Sequence, residues 1–482
     1  QLTRDGGRSW HDITPPGVAP WAKIARIDVS PLARGTAYIA VDNHRQDEYA
    51  PHAWRTRDYG ATWTDISAGL PAGSFVNVVR ADPQRAGLLY AGTDLGVQVS
   101  FDDGAHWQPL QLNLPPAWYN DLLVHGNDLI AATQGRALWV LDDLSRLRQL
   151  AADGSGATRL FKPATALRWR SNQNKDTPPP PETPLGTNAP EGAIIDYVIG
   201  PEAHGEVALE IRDREQRLVR RYSSADRPEK LPAERYFAAD WIRPERILPG
   251  QPGAHRFVWD LRYPRPRAST YKYSISTSRE AGTPSVPLGP MVPPGSYRLT
   301  LLAGGERHEA PLEVAMDPRV QAATADLQAA LDFSREYGAA LGEIWRSHRE
   351  IESLRGAIDA QLKSLPPADP LRKPLQALRS RTEPWSSGYA EHTLNLNFIN
   401  ETLAEIITDV DGSDRAPTEA QRTAAAGCVR RAHEVASQWQ QLRERELAPL
   451  NTQLRQGGHQ ELTIPPPDQL GPGQPDEGTE LP

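Results

Sequence analysis

The chain of 482 residues has a single cysteine, Cys428. A lone thiol excludes an internal disulfide framework and a zinc site of the CxxC type. No run of apolar residues reaches the length of a membrane span, so no span is expected. No block of Lys and Arg stands out, and the formal charge of -8 argues against a nucleic-acid partner. Phosphate-binding glycine loops are lacking: the nearest string, "GPGQP" at 471–475, sits near the end of the chain. The sequence opens on the polar string "QLTRDGGRSW", which is not a secretory leader. No pattern for a metal or other cofactor is read.

Proline and tryptophan are plentiful. There are 45 prolines and 13 tryptophans, and eight of the tryptophans precede residue 171, so the aromatic-rich part is N-terminal. The length predicts two to four domains. One string occurs three times, as "TRDGGRSW" (3–10), "TRDYGATW" (56–63) and "SFDDGAHW" (100–107). Each reads Ser or Thr, any residue, Asp, any residue, Gly, two residues, Trp. Asp58 is expected to accept backbone N–H bonds within the turn, and Gly60 to supply positive φ. Trp63 is expected to bury its ring beneath the turn. Asp5, Gly7 and Trp10, and Asp102, Gly104 and Trp107, repeat the arrangement. The tryptophans are 53 and 44 residues apart, the period of a four-stranded propeller blade. Strand-length segments fill the intervals, including "KIARIDVSP" (23–31), "GTAYIAVDN" (35–43), "FVNVVRADP" (75–83) and "GLLYAGTD" (87–94). "YNDLLVHGNDLIAATQGRALWVLDD" (119–143) reads as a partial unit, with "TRLFKP" (158–163) as its last strand.

These turns resemble the Asp-box, or BNR repeat, of sialidases, xyloglucanases and sortilin-type propellers. "GLLYAGTDLGVQVSFDDGAHWQPLQLNLP" and "LIAATQGRALWVLDDLSRLRQL" are similar to the end of the propeller in large bacterial proteins described as glycosyl hydrolase-like or sortilin-type. The similarity continues through "HRFVWDLRYP", "PPGSYRLTLLAGG" and "EVAMDPRV". It implies a secreted or periplasmic protein, in which the box hairpins lie on the outer edge of each blade, away from the funnel. The repeated aspartates are therefore read as structural. About three blades do not close a ring, and the missing blades are expected upstream or in another chain.

Residues 1–170 are assigned to the last blades of a propeller and 171–191 to a Pro-rich linker. A second set of strands over 192–318 suggests an immunoglobulin- or fibronectin-like β-sandwich, with Trp259 in its core and 225–250 over an edge. From 319 the period becomes helical. Ala330, Tyr337, Ile344, Ile351, Ile358 and Leu365 stand seven apart, a seam interrupted at its other position by Ser334, His348 and Arg355. A second long helix, capped by Thr418 and Gln421 and kinked at Pro449, is expected to pair with the first as a hairpin, with a possible dimer through these helices. Residues 459–482 read as a disordered tail. The fold class is thus mainly β: a partial propeller, a sandwich, then a helical hairpin.

Three loops offer chemistry. "VDNHRQDEY" (41–49) gathers Asp42, His44, Arg45, Asp47 and Glu48 in one connection, with Tyr49 and Trp54 near enough to stack on a sugar. "WYNDLLVHG" (118–126) offers Asn120 and Asp121. "TQGRALWVLDD" (133–143) offers Arg136, whose expected partner is an acidic residue of the adjoining blade, while Asp142 and Asp143 cap the exit turn. Glycoside hydrolysis needs two carboxyls across a sugar, and Asp42, Asp47 and Asp121 are the candidates. A sialidase needs an arginine triad; Arg26, Arg57, Arg80 and Arg136 form no local pattern, and no Arg-Ile-Pro string precedes the first box. "DVDGSD" (409–414) has its glycine misplaced for an EF-hand. "NET" (400–402) is a glycosylation sequon within an expected helix. Two functions follow: a glycoside hydrolase-like protein acting on or binding polysaccharide, or a non-catalytic sortilin-type binder of a peptide.

Overall fold

The computed structural model describes residues 1–150, 156–170, 186, 188–227, 246–269, 271–273, 285–386 and 395–466. The Pro-rich stretch, most of the 225–250 segment and the tail from 467 onward lie outside them.

The first part is a succession of antiparallel meanders. β1 (Lys23–Val29), β2 (Ala37–Asp42), β3 (His52–Thr56) and β4 (Thr64–Asp65) form one sheet in sequence order. β5 (Val76–Ala81), β6 (Leu89–Thr93), β7 (Val97–Ser100) and β8 (Gln108–Pro109) form the next. β9 (Tyr119–His125), β10 (Asp128–Thr133) and β11 (Leu138–Leu141) form a third, with no fourth strand among the described residues. The strands follow from alternating apolar positions, and successive sheets pack face to face. Tyr38, Ala40 and Ala53 of the first share a core with Val79, Leu89 and Ala91 of the second. Val78, Tyr90 and Val97 of the second share one with Leu122, Leu129 and Ala131 of the third.

After β11 the chain leaves through α1 (Ser145–Gln149). Arg148 in this helix binds Asp82, which is fully desolvated. The segment 158–163 does not complete the third sheet. β12 (Arg159–Leu160) instead pairs with β14 (Ala193–Ile199), and β13 (Ala166–Arg168) runs parallel to β21 (Glu306–Met316). Between them come β15 (Ala208–Arg212), β16 (Leu218–Ser223), β17 (Gly253–Trp259), β18 (Lys272–Tyr273), β19 (Ser285–Val286) and β20 (Gly295–Ala303). The sheets β12-β14-β17 and β13-β21-β20-β15-β16 contribute to one core, in which Trp259 is fully buried. Arg256 joins this region to the first by bonding the carbonyls of Asp142 and Asp143 and the carboxylate of Asp196.

The C-terminal region is helical: α2 (Thr324–Ser364), α3 (Arg372–Ser386), α4 (Leu396–Asp411), α5 (Glu419–Leu442) and α6 (Ala448–Gln456). The expected two-helix hairpin is not what forms. α2 packs chiefly on α4 and α3, and α4 lies against both α2 and α5. Ser334, His348 and Arg355, the polar interruptions of the seam, are buried, so the chain fills that stripe with groups that need partners. Arg355 finds the carbonyl of Arg379 and the hydroxyl of Thr382. The Thr418–Gln421 capping box forms. Before Pro449 the helix relaxes into a π-turn over Arg443–Leu447, which absorbs the N–H that proline lacks. Residues 459–464 are not free tail: Leu462 is buried and exchanges two hydrogen bonds with the Asn451 side chain.

Arginine–carboxylate pairs tie helices to strands. Arg168 and Arg170 both reach Asp414, and Arg262 reaches Asp411. The acidic string that hints at a cation is thus taken by guanidinium groups. Asn400, the sequon residue, is fully buried; its Oδ1 accepts from the Ser269 N–H and its Nδ2 donates to the Leu341 carbonyl.

Candidate functional site

The repeated turns have one construction. In the second, the Thr56 hydroxyl donates to Asp58 and accepts from the Gly60 N–H, while Asp58 accepts from the backbone and hydroxyl of Thr62. Thr3, Asp5, Gly7 and Ser9 repeat this, as do Ser100, Asp102, Gly104 and His106. Two consecutive residues take positive φ in each: Gly6 and Gly7, Tyr59 and Gly60, Asp103 and Gly104. The Ser9 side chain and backbone bonds hold Asp5 down to about 2. For Asp58 the Thr62 bonds likewise lower the pKa. At Asp102 burial opposes ionisation, and the His106 and Ser100 bonds outweigh it. These carboxylates accept their hydrogen bonds within their own turns.

In each complete sheet the turn joins the third strand to the fourth. The β2–β3, β6–β7 and β10–β11 connections, with the β4–β5 and β8–β9 connections, therefore gather at the opposite end. The 41–49 candidates sit there. Asp42 ends β2, 4 % exposed, and accepts from the His44 N–H (3.0 Å), from His44 Nδ1 (2.5 Å) and from Lys23 Nζ (3.3 Å). Burial pushes Asp42 toward its neutral form; those donors outweigh burial and hold its pKa below the ordinary value. His44 opens a 3-10 turn over His44–Gln46. Its ring stacks on Phe75 at 4.6 Å and meets the edge of Trp118 at 5.4 Å. Phe75 also touches Trp118 at 5.2 Å and Tyr49 at 6.4 Å. Phe75 is buried at the base of this cluster, whereas Tyr49 is 46 % and Trp118 38 % exposed.

Glu48, next in sequence to Tyr49, accepts from Asn43 Nδ2, the Ala50 N–H and His52 Nε2. Burial opposes ionisation of Glu48 as well, and the same bonds lower its pKa overall. Asn43 is buried, and its Oδ1 has no hydrogen-bond partner among the described residues. Arg45 and Asp47 are exposed; Asp47 takes positive φ and closes the turn with its N–H on the His44 carbonyl. The Gln134 N–H donates to the Trp118 carbonyl, which brings the Arg136 turn to the same end. Arg136 is exposed and makes no ion pair with an acidic residue of the adjoining sheet among the described residues; its carbonyl accepts from Trp139 instead.

The other candidates lie elsewhere. Asn120 is exposed on β9. Asp121 is held between Arg26 and Arg80, and Arg80 also binds Asp28, so four charges link the inner strands β1, β5 and β9. Arg57, with Arg55, instead binds Asp103, and no arginine triad forms. Trp54 is buried in packing against His52 and is not a stacking surface. Sequence reasoning missed Phe75 and Trp118 as the platform. Each stands just before an inner strand, a recurrence that flags the position but not the convergence.

No family model matches the chain, and no curated protein matches it. Solved structures with local similarity include YCF48 bound to D1 peptide, at 11% identity and a TM-score of 0.20, covering 38% of this chain and 48% of that one. Another is the GH74 xyloglucanase from Xanthomonas campestris, at 14% identity and a TM-score of 0.20, covering 60% and 38% respectively. A third is the extracellular domain of a putative hybrid two component system from B. thetaiotaomicron, at 9% identity and a TM-score of 0.18, covering 59% and 30%. The chain spans less than half the length of each. Among the described residues no helix is long and apolar enough to cross a membrane.

Proposed function

We propose that this chain carries part of a propeller whose loop end binds a polysaccharide, with Trp118 and Tyr49 as the stacking surfaces. The observation that carries the reading is the ring cluster of Tyr49, His44, Phe75 and Trp118, bordered by Asp42 and Glu48. Two exposed rings on a buried base offer flat apolar area, and the partly exposed Glu48 carboxylate, next in sequence to Tyr49, can accept a bond from a sugar hydroxyl. Binding is favoured over hydrolysis. A carboxyl that delivers a proton to a glycosidic oxygen needs its pKa raised, and Asp42 and Glu48 are shifted the other way. Of the other two carboxyl candidates, Asp47 lies exposed in its turn and Asp121 is paired with two arginines.

The test is affinity electrophoresis and reducing-end release on xyloglucan, other β-glucans and sialylated glycans. Retarded migration without release is expected. Trp118→Ala is expected to weaken binding about tenfold, equivalent to ~1.4 kcal/mol. Release of reducing ends that falls on Asp42→Asn would overturn the binding reading in favour of an enzyme. Migration unchanged by every glycan would sink the carbohydrate reading altogether. A second reading, capture of an extended peptide, is favoured by β11, whose "LWVL" ends the third sheet with no fourth strand among the described residues.

A further inference from the structure

An aromatic side chain stands at the start of each inner strand. Phe75 directly precedes β5 and Trp118 directly precedes β9; Trp21 stands two residues before β1. Phe75 and Trp118 belong to the ring cluster, whereas Trp21 is 94% exposed. Strand pairing brings Trp21 to the same end. Lys23 lies opposite Asp42 in the β1–β2 register and donates Nζ to it at 3.3 Å, and Asp42 in turn holds the His44 ring. Two residues of extended chain span at most about 7 Å, so the Trp21 backbone borders the Asp42–His44 pair.

The turn that carries Trp21 suits a smaller residue. The Ala22 N–H donates to the Ala19 carbonyl at 3.2 Å, and Pro20 and Trp21 form the corner between them. Trp21 takes φ of 67°, the left-handed conformation for which such a corner ordinarily uses glycine. The segment is anchored on either side of the ring, because Val18 and Ala22 pack against Ile39, Val41 and Trp54. A bulky ring held in a strained backbone conformation, covering almost none of its own surface, points to a use outside the fold.

We propose that Trp21 is an additional stacking subsite, and that the ligand is a linear chain of several linked sugars reaching from Trp118 to Trp21. The inference rests on the polysaccharide reading of the ring cluster and adds a minimum ligand length to it. Tyr49 belongs to the same sheet as Trp21 and reaches Phe75 at 6.4 Å, so exposed rings continue from the third sheet to the first. Packed sheets stand ~10 Å apart, which puts rings at the starts of β1 and β9 roughly 20 Å from each other. One sugar on Trp118 does not reach Trp21; a longer chain touches both, and a short oligomer occupies the cluster alone.

The test is affinity electrophoresis of the full chain in xyloglucan and in mixed-linkage β-glucan, with oligosaccharides of rising length from each polymer as competitors. Trp21→Gly is the informative variant, because glycine fits the turn, and its melting temperature is expected to equal or exceed the parent's. It is expected to weaken retardation by the polymer about fivefold, and Trp21→Tyr to restore most of the loss. The shortest oligomers are expected to compete equally well against the parent and Trp21→Gly, and less well against Trp118→Ala. Longer oligomers are expected to lose their advantage over short ones only when Trp21 is changed. Trp21→Gly retarded like the parent, while Trp118→Ala is weakened, would overturn the Trp21 subsite and leave the ring cluster standing. Equal loss for short and long oligomers in Trp21→Gly would refute the length requirement. A parent chain that no polymer retards would sink both readings.

Discussion

The three turn tryptophans give a test with internal controls, because one motif presents the same ring at three depths. Trp107 is 8% exposed, packs with Tyr38, Ile66, Leu70 and Leu89, and donates to the Ile66 carbonyl at 2.8 Å. Truncation of such a ring costs ~3–5 kcal/mol, from lost transfer free energy and the cavity left behind. About 1 kcal/mol of that belongs to the hydrogen bond, and Trp107→Phe, which loses the N–H and part of the ring together, is expected to cost less than Trp107→Ala. Trp63 keeps the bond, to Ile13 at 2.7 Å, but is only partly buried, and Trp63→Ala falls between. Trp10→Ala removes an exposed ring and is expected within ~0.5 kcal/mol of the parent. Urea unfolding followed by near-ultraviolet circular dichroism orders the three midpoints. The chain has several parts, so shifts are compared within the one transition that reports the first sheets. A Trp10→Ala cost equal to that of Trp107→Ala would refute the reasoning, since the motif would then act locally and not through the neighbouring unit.

Other expectations follow from charge and burial. Asp5, Asp58 and Asp102 have lowered pKa values, so the stability they contribute is present above the unfolded value near 3.8 and is lost as pH falls through the folded values, down to about 2 for Asp5. Melting temperature measured as pH falls through 3.8 toward about 2 is expected to fall less steeply in the Asp58→Asn, Asp102→Asn double variant. His348 is buried among the helices, and burial lowers its pKa from 6.5. Its neutral form is favoured on folding, so stability is full above 6.5 and falls as pH drops below it; His348→Phe is expected to flatten the helical signal over that window. Removing the Asp414 carboxylate leaves Arg168 buried and uncompensated, and Asp414→Ala is expected to cost ~3–5 kcal/mol in thermal or urea unfolding.

Local chemistry was legible in the sequence and convergence was not. The three turns could be read because each closes on itself within eight residues, with Asp, Gly and hydroxyl at fixed offsets. Their second role, gripping the isoleucine of the previous unit, was hidden because Ile13 and Gly60 meet only in three dimensions. The loop at 41–49 showed its charges, but whether Asp42 was free or satisfied depended on the ring of His44 and on Lys23 across the strand pair. Asp121 read as a candidate base and proved to be a bridge, since Arg26 and Arg80 come from other sheets. In the helices, the heptad spacing located α2 but not its partner. Ser334, His348 and Arg355 looked like breaks in a seam, whereas all three are buried, Arg355 against Arg379 and Thr382 of α3.

The buried Asn400 bears on how this protein can be made. In a host whose secretory pathway attaches carbohydrate to Asn-x-Thr as the chain emerges, modification comes before α4 has packed on α2. A glycan has no room on the Asn400 Nδ2, which is buried and donates to the Leu341 carbonyl. Such a host would divide its product into unmodified folded chains and modified chains that cannot seat the helix. Thr402, by contrast, spends its hydroxyl only on the Phe398 carbonyl at the surface. Thr402→Ala therefore abolishes the acceptor signal while leaving the internal amide, and the helix it anchors, intact.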